Sequence, residues 1–492
     1  MAAMYLLTYV TYRSQNHLPW CHNLDKFRAK KEFNPPAGGN CINTLLGETT
    51  VVKAMLVGHG AREHAIAEAL VRGGATLRAF MGARNPGITR LCNENIKVGS
   101  LDNFEAMAEF AEGIDFAVIG PEGPLVVGVA DALQSAGIPC VGPTIQCAQL
   151  EGSKIFARNL LGKHHVPGNV EFEAFARYDE GGMRAFMRQL GEENYVVKPE
   201  GLTGGKGVKV AGEHLASIDD GLAYAEEVMR TGAGVVIEER VEGEEFTLQT
   251  FVDGTRVVGT PLVQDHKRAF DDDQGPNTGG MGSYSMPDGL LPFVTQSEVD
   301  KGIDIMTKTI EAVNSETGES YKGFLYGQFM KTAKGIKVIE FNARFGDPEA
   351  INVLSIMNSN LVDVCQQIVD GTLGGPLDFH PQATVVKYLV PAGYPTNPTA
   401  DQPLEIDEEC LQKLGAQQYF ASVDEKDGVI YTSHSRAIAI LGIADSLEDA
   451  EQIAEKGTTC VTGDLFHRQD VGTQALLQKR IAHMESLYPY YA

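Results

Sequence analysis

The sequence predicts a multidomain α/β protein, with an N-terminal doubly wound parallel sheet, a central part built around glycine-rich loops and a C-terminal α+β domain. Three observations support this prediction. The chain has 492 residues, which is too long for one hydrophobic core. From Val51 onward, short apolar runs alternate with helical segments, as in a parallel sheet covered by helices. Later segments combine glycines with lysines, which indicates loops around an anionic ligand.

The N-terminal block runs from Val51 to Thr144. The apolar run VVKAMLVG precedes the helical segment GHGAREHAIAEALVRGG, and DFAVIGPEGPL precedes VVGVADALQSAG and IPCVGPT. Strands and helices thus take turns along the chain, and this order predicts a parallel sheet.

The first strand ends in a glycine turn that is similar to the opening of a dinucleotide-binding fingerprint. The fingerprint fails, because Glu63 occupies its third glycine position and no acidic residue ends the second strand near 77–80. The turn at Gly58 and Gly60 still leads into a helix N-terminus, which suits a phosphate of a smaller ligand. A second loop, 120–128, follows another strand, so the two loops are predicted to form one pocket at the sheet edge.

The segment 195–210, YVVKPEGLTGGKGVKV, predicts a strand, a glycine-rich loop and a second strand. It is not a Walker loop, because Glu200 occupies the position of the first glycine and Gly207 replaces the Ser or Thr. A glycine-rich hairpin between two strands indicates a flap that folds over phosphates, with Lys198 and Lys206 beside it. The alternative is a flexible surface hairpin, which would not explain the two lysines.

Two further segments are predicted to complete a nucleotide site. The strand within 234–251 opens at 238–245, where backbone groups suit an adenine edge and a carboxylate suits a ribose. In 264–285, successive glycine N–H groups can form an anion nest, and Lys267 can neutralise charge during phosphoryl transfer. The acidic run 271–273 is predicted to be a solvated loop.

The segment VIEFNARFGDPE, which begins at Val338, carries the predicted metal site. As a regular strand it would place Val338, Glu340 and Asn342 on one face. A carboxylate and an amide oxygen two residues apart suit Mg²⁺ or Mn²⁺, ions that usually arrive with nucleotide phosphates. Arg344 and Asp347 follow beside the predicted metal. The alternative is an edge strand with two unrelated polar residues.

Composition limits the partners and the compartment. The formal net charge of −24 argues against nucleic acid and anionic membranes as partners. No apolar run reaches the roughly 18 residues of a membrane span. The eight cysteines include no C-x-x-C pair, so reduced thiols in a cytoplasmic protein and no zinc site are predicted. Residues 1–52 show no period and are predicted to be a disordered or dispensable extension.

The order of these features resembles that in ATP-grasp ligases. Within that superfamily, four segments resemble the phosphoribosylamine–glycine ligase family: GHGAREHAIA, GPEGPLVVGVAD, DHKRAFDDDQGPNTGGMGSYS and EFNARFGDPEA. The resemblance covers about residue 53 to the end. It implies a substrate-binding domain at 53–150, an ATP-grasp domain at 151–378 with a lid at roughly 170–240, and a C-terminal domain at 379–492. It also implies ATP-dependent joining of glycine and 5-phosphoribosylamine through a glycyl phosphate, in purine biosynthesis.

The resemblance implies a role for each matching residue. Residues expected to bind ATP are Lys154, Lys198, Gly204, Gly205, Lys206, Gly207, Glu238, Glu239, Val241 and Glu245. Residues expected to bind the other substrates are Gly58, Gly60, Arg62, Glu63, Pro121, Glu122, Pro124, Leu125, Asn277, Thr278, Gly279, Gly280, Met281 and Gly282. Catalytic roles fall to Lys267, Arg344 and Asp347, and metal binding falls to Glu340 and Asn342.

Some positions depart from the family pattern, and two other functions stay open. GLTGGKG stands where GLAAGKG is usual, and Gln328 stands where many other ATP-grasp enzymes have a third, acidic metal ligand. The number of metal ions is therefore open. The alternatives are another ATP-grasp carboxylate–amine ligase and a non-catalytic nucleotide sensor. The expected partners are ATP, glycine and 5-phosphoribosylamine, and the expected state is a monomer or weak dimer.

Overall fold

The structure is a computed structural model that describes residues 51–204 and 207–488. The predicted extension lies outside the described residues, apart from Val51 and Val52, as do Gly205 and Lys206 of the predicted flap. All the described residues belong to one structural unit. Within the described ranges, no helix is both long enough and apolar enough to cross a bilayer.

The N-terminal part is a five-stranded parallel sheet in the order β3-β2-β1-β4-β5, which confirms the predicted parallel sheet. The strands are β1 (Lys53–Val57), β2 (Thr76–Met81), β3 (Ile96–Val98), β4 (Phe116–Ile119) and β5 (Cys140–Val141). The helices are α1 (Ala61–Arg72), α2 (Pro86–Leu91), α3 (Phe104–Phe110), α4 (Glu122–Val126) and α5 (Val129–Ser135). The strand order reverses between β1 and β4, so the loops that follow these two strands open side by side.

The central part contains two four-stranded antiparallel sheets. The smaller, in the order β6-β9-β7-β8, consists of β6 (Phe172–Phe175), β7 (Tyr195–Pro199), β8 (Lys209–Val210) and β9 (Val235–Glu239), within the range predicted for the lid. The larger, in the order β11-β10-β16-β17, consists of β10 (Glu244–Asp253), β11 (Val257–Gly259), β16 (Lys322–Thr332) and β17 (Gly335–Asn342). The helices are α6 (Ile145–Gly152), α7 (Lys154–Lys163), α8 (Glu180–Leu190), α9 (Ile218–Met229), α10 (Gln296–Thr317), α11 (Glu349–Ser355) and α12 (Leu361–Asp370).

The third part is built around an antiparallel sheet that follows the path β12-β15-β18-β23-β20. Its strands are β12 (Gln264–Asp265), β15 (Gly282–Ser285), β18 (Ala383–Pro391), β20 (Gln417–Phe420) and β23 (Ile438–Ala444), with β25 (Leu465–Phe466) beside β18. A smaller sheet holds β19 (Pro403–Ile406), β21 (Val423–Lys426), β22 (Val429–Thr432) and β24 (Val461–Thr462), and the helices are α13 (Glu408–Leu414), α14 (Leu447–Thr458) and α15 (Gln474–Leu487). β12 and β15 precede the predicted boundary at 378 yet join this sheet, because strands pair by register rather than by position in the chain.

The acidic run 271–273 is largely exposed, as predicted, but it is ordered rather than an irregular loop. It forms a short 3₁₀ turn between β13 (Arg268–Phe270) and β14 (Gln274–Asn277). Asp273 forms ion pairs with Arg480 at 2.6 Å and Arg468 at 3.2 Å, and the Asp271 carboxylate accepts a hydrogen bond from the Gln469 backbone N–H at 2.9 Å. Two of the three aspartates therefore hold the last helix, α15, and the segment that leads into it.

The cysteines also differ in part from the prediction of reduced thiols. Cys410 in α13 and Cys460 after α14 form a disulfide with a Cα–Cα distance of 5.8 Å. Cys92, Cys140, Cys147 and Cys365 are free and buried, as predicted. The pair was not visible in the sequence, because its members are separated by 50 residues and meet only when α13 packs beside α14.

The close packing of α14 on β23 gives a stability prediction. A Cβ atom added at Gly442 would lie 2.0 Å from the Ala450 carbonyl oxygen and 2.8 Å from the Ala454 backbone nitrogen. Because backbone atoms cannot move aside singly, Gly442→Ala should destabilise the protein by about 1–3 kcal/mol. Thermal unfolding should show a lower midpoint than wild type. Gly375→Ala is the control, since no atom lies within 4 Å of its added Cβ, and equal midpoints for both variants would contradict the prediction.

Candidate active site

A cavity of about 860 Å³ lies where the three parts meet. Sixteen of the predicted site residues line it: Gly60, Arg62, Glu63, Pro121, Glu122, Lys154, Lys198, Gly204, Glu238, Lys267, Thr278, Gly279, Glu340, Asn342, Arg344 and Asp347. Residues from the loops after β1 and β4 thus share one cleft with both central sheets. The two sheet-edge loops were predicted to form one pocket, and both contribute to this cavity.

Other predicted residues lie outside the cavity lining. They are Gly58, Pro124, Leu125, Gly207, Glu239, Val241, Glu245, Asn277, Gly280, Met281 and Gly282. Leu125 and Met281 are fully buried in hydrophobic clusters, so their side chains pack in the core. Glu239 forms an ion pair with Lys337 at 3.0 Å. Glu245 accepts a hydrogen bond from the side-chain amide of Gln328. The predicted contact of Glu245 with a ribose stays a prediction.

The glycine turn before α1 holds a protein carboxylate. The Glu63 carboxylate accepts a hydrogen bond from the Gly60 backbone N–H at 2.6 Å and caps the helix. Added Cβ atoms at Gly58 and Gly120 would lie 2.6 Å and 2.3 Å from Glu63 side-chain atoms. These glycines therefore make room for Glu63. The carboxylate engages the Gly60 N–H of this helix N-terminus, and the predicted phosphate there stays a prediction.

Two buried cations share one carboxylate in the wall of the cavity. The Glu238 carboxylate accepts hydrogen bonds from Arg158 Nε and Nη2 at 2.8 and 2.9 Å, and it lies 2.7 Å from Lys198 Nζ. Burial alone would raise the pKa of Glu238, but Arg158 and Lys198 outweigh burial and lower this pKa to about 2. The side chain of Glu238 therefore fixes Lys198 at the cavity wall, and the predicted contact of the Glu238 backbone with adenine stays a prediction.

The strand β17 contains a bulge at the predicted metal site. Gln328 pairs with Glu340 and Phe329 pairs with Val338, so Ile339 has no partner in the register. Val338 therefore packs in the same core as Phe341, and the prediction that it shares a face with Glu340 is wrong. The Ile339 carbonyl accepts hydrogen bonds from Lys198 Nζ at 3.2 Å and from an Arg158 N–H group.

Glu340 and Asn342 both line the cavity, and three lysines surround Glu340. Burial would raise the pKa of Glu340, but Lys267, Lys198 and Lys154 outweigh burial and lower this pKa. An ionised carboxylate beside an amide oxygen is a hard donor set that fits Mg²⁺ or Mn²⁺. No group of three or more acidic, His or Cys ligands occurs within 51–204 and 207–488, so nucleotide phosphates and water would complete the coordination.

Lys267 lies in the short connection between β12 and β13, and its side chain reaches β16, the strand that pairs with β17. Its Nζ donates a hydrogen bond of 2.5 Å to Gln328 Oε1 and lies 3.7 Å from a Glu245 carboxylate oxygen. Burial would lower the pKa of Lys267, but Asp265 and Glu245 outweigh burial and raise it. Lys267 therefore stays charged in the cavity, as balancing negative charge on a phosphoryl group requires.

Comparisons with known proteins agree with this geometry. Residues 52–151 match the family model for the phosphoribosylglycinamide synthetase N domain, 152–350 its ATP-grasp (A) domain and 384–474 its C domain. The phosphoribosylamine–glycine ligase of Methanothermobacter thermautotrophicus is 48% identical over 440 residues, which cover 89% of this chain and 100% of that one. The same ligase from Methanoregula boonei is 50% identical with the same coverage.

The chain belongs to the phosphoribosylamine–glycine ligase family. A crystal structure of the Thermotoga maritima member of this family superposes with a TM-score of 0.72 at 27% identity, covering 85% of this chain and 100% of that one. The biotin carboxylase domain of the Hydrogenobacter thermophilus 2-oxoglutarate carboxylase, at 14% identity and a TM-score of 0.65, shares the fold; it covers 89% of this chain and 99% of that one. Together these findings confirm the predicted ATP-grasp fold of the ligase.

The C-terminal part of the ligase supplies an arginine that sequence reasoning missed. Arg436 Nη1 donates to the carbonyl oxygens of Gly279 at 2.7 Å, Gly280 at 3.2 Å and Asp347 at 2.8 Å, and Nη2 lies 3.1 Å from an Asp347 carboxylate oxygen. The Tyr388 hydroxyl donates to the other carboxylate oxygen of Asp347. Arg436 thus joins two predicted substrate loops of the ligase. Its only signal in the sequence was its place after a polar Ser-His-Ser run before a buried strand.

Replacing Arg436 gives a first test of the site. Arg436→Ala should leave Asp347 without its cation and separate the two loops, because three carbonyl contacts disappear together. We expect turnover to fall on the order of 100-fold, since misplacing reacting groups by about 1 Å has this effect. ADP release gives turnover, and added guanidinium should restore part of it.

Arg230→Ala is the matched control for this test. Arg230 is 73% exposed in its side chain and, among the residues that the structure describes, forms an ion pair only with Glu226 on the same helical face. Turnover of the control should equal that of wild type. Wild-type turnover in Arg436→Ala, with the protein folded, would contradict the assigned role.

Proposed function

We propose that this ligase joins glycine to 5-phosphoribosylamine, with conversion of ATP to ADP and phosphate, to form glycinamide ribonucleotide in de novo purine biosynthesis. The observation that carries the proposal is the arrangement around Glu340. Lys154, Lys198 and Lys267 place positive charge beside this carboxylate in a cavity whose other walls come from the N- and C-terminal parts. A site that activates a carboxylate with ATP and then admits an amine needs this combination.

The first step activates glycine. Its carboxylate is unreactive toward amines because the charge is delocalised. A glycine oxygen attacks the γ-phosphorus, the bond to the β-phosphate oxygen breaks, and ADP leaves with the bonding electrons. Lys154, Lys198 and Lys267 balance the charge on the phosphoryl oxygens. When bound at Glu340 and Asn342, a divalent cation supplies further neutralisation of the phosphates.

The second step forms the amide bond. The amine nitrogen of 5-phosphoribosylamine attacks the carbonyl carbon of glycyl phosphate, and the carbon–oxygen bond to phosphate breaks. The departing phosphate takes the electron pair of that bond and accepts the proton that the nitrogen loses. Arg344 and Asp347, which line the cavity between the lysines and the N-terminal part, hold the glycine portion. No protein nucleophile is required. Closure of the glycine-rich loop around Gly204 over the cavity limits hydrolysis of glycyl phosphate.

The remaining features of the proposal concern metal, partners and compartment. The proposed ion is Mg²⁺ or Mn²⁺, because both take hard oxygen ligands. The partners are the three small substrates rather than nucleic acid or membrane, in keeping with the net charge of −24. A monomer or weak dimer in the cytoplasm stays a prediction.

An omission experiment tests the proposed reaction. ADP release should require glycine, because without a carboxylate acceptor the γ-phosphoryl group has no partner but water. Formation of glycinamide ribonucleotide should require all three substrates. Mass spectrometry of the product and a coupled ADP assay provide the two measurements. The proposal would be refuted if ADP were released as fast without glycine and 5-phosphoribosylamine as in the complete reaction.

Substitution at the metal site tests the assigned ligands. Glu340→Gln removes the ionised ligand and should lower turnover by at least about 100-fold, because metal charge stabilisation is worth several kcal/mol. Asn342→Asp keeps an oxygen donor and should retain more turnover. Binding of Mn²⁺ with ADP, followed by electron paramagnetic resonance, should weaken in Glu340→Gln. Unchanged Mn²⁺ binding in that variant would place the metal elsewhere.

A further inference from the structure

Glu151 is a buried carboxylate at the end of α6 that the mechanism above does not use. It is only 8% exposed and lines the cavity. One carboxylate oxygen lies 3.1 Å from Arg344 Nη2, and the other accepts a hydrogen bond of 2.7 Å from the Ala343 backbone N–H. Glu151 therefore holds both the main chain and the side chain of the loop that directly follows the metal-binding strand.

A second carboxylate holds Arg344 from another element. Glu122 in α4 lies 3.2 Å from Arg344 Nε, and Arg344 Nη1 donates to the Phe345 carbonyl oxygen at 3.1 Å. A guanidinium has five N–H groups. Nη1 donates one to Phe345, whereas the contacts of Nη2 with Glu151 and of Nε with Glu122 are ion pairs, and the buried Nε has no hydrogen-bond partner among the described residues. N–H groups of Nη1 and Nη2 therefore remain for a ligand in the cavity that Arg344 lines.

We propose that Glu151 is a positioning residue: together with Glu122 it fixes the Arg344 guanidinium, so that the free N–H groups of Arg344 meet the glycine carboxylate during phosphorylation. This inference rests on the proposed function. Glu151 itself touches no reacting atom. A guanidinium that is paired with carboxylates from two different elements keeps a fixed orientation. A guanidinium paired with Glu122 alone can rotate about that contact.

The charges around Glu151 add a measurable signature. Burial raises the pKa of Glu151 to about 7, while Arg344 opposes the rise and Glu122 adds to it; Arg62 from α1 also opposes it. Only the ionised form pairs with Arg344 as a full charge. The positioning is therefore complete above this pKa and is lost as the pH falls through it. Asp265, in the same cavity, also has its pKa raised to about 7 by burial and contributes a second titration.

The test compares Glu151→Gln with a matched control. Glu298→Gln removes a carboxylate that is 7% exposed and paired with Lys331, and Glu298 does not line the cavity. For Glu151→Gln we expect kcat to fall about 10- to 100-fold. The KM for ATP should change by less than about twofold, because the lysines that contact ATP in the proposal are untouched. The control should keep the wild-type kcat.

The pH profile separates positioning from simple destabilisation. The wild-type kcat should fall as the pH drops below about 7, and the acidic limb should be shallower in Glu151→Gln, because Asp265 alone then titrates there. Thermal unfolding reports whether each variant is folded. Wild-type kcat with an unchanged acidic limb in folded Glu151→Gln would overturn the inference, as would an equal loss in the Glu298→Gln control. Loss of substrate-dependent ADP release in wild type would instead refute the proposed function.

Discussion

Compensation of buried positive charge is the constraint on which the cleft depends. Arg158 and Lys198 share Glu238, Arg344 lies between Glu122 and Glu151, and Arg436 pairs with Asp347. An uncompensated charge at such depth costs several kcal/mol, so each cation stays in place only because its carboxylate does. The carboxylates also fix the orientation of these cationic side chains, whereas a solvated lysine or arginine side chain would have no fixed orientation.

These pairs join segments that are distant in the sequence, and this is how one cavity arises from three parts. Arg344 follows the strand that carries Glu340, but its partners come from helices about 220 and 190 residues earlier. Arg436 reaches from the C-terminal part to loops that precede it by about 90 and 155 residues. The site therefore exists only when the three parts are assembled, and the C-terminal part is a component of it rather than an external support.

The sequence predicted what depends on local patterns. Continuous apolar strands, the glycine-rich segments and the Glu340–Asn342 pair follow from residues a few positions apart, and all lie in the expected elements. It did not predict the bulge at Ile339, because a bulge depends on the register with a neighbouring strand. Nor did it predict that Glu63 fills the turn at Gly58, or that Arg436 reaches Asp347, since both depend on side chains meeting across elements.

The acidic composition and the anionic substrates are compatible because charge acts at short range here. At physiological ionic strength, exposed charges are screened beyond about 8 Å, whereas Lys154, Lys198 and Lys267 act on Glu340 within one partly buried cavity. The lysines therefore determine the potential that a phosphate meets, and the net charge of −24 does not. The same lysines keep Glu340 ionised before any nucleotide arrives. A divalent cation that enters with nucleotide phosphates thus meets a charged ligand without first displacing a proton, and the donor set is organised in advance of binding.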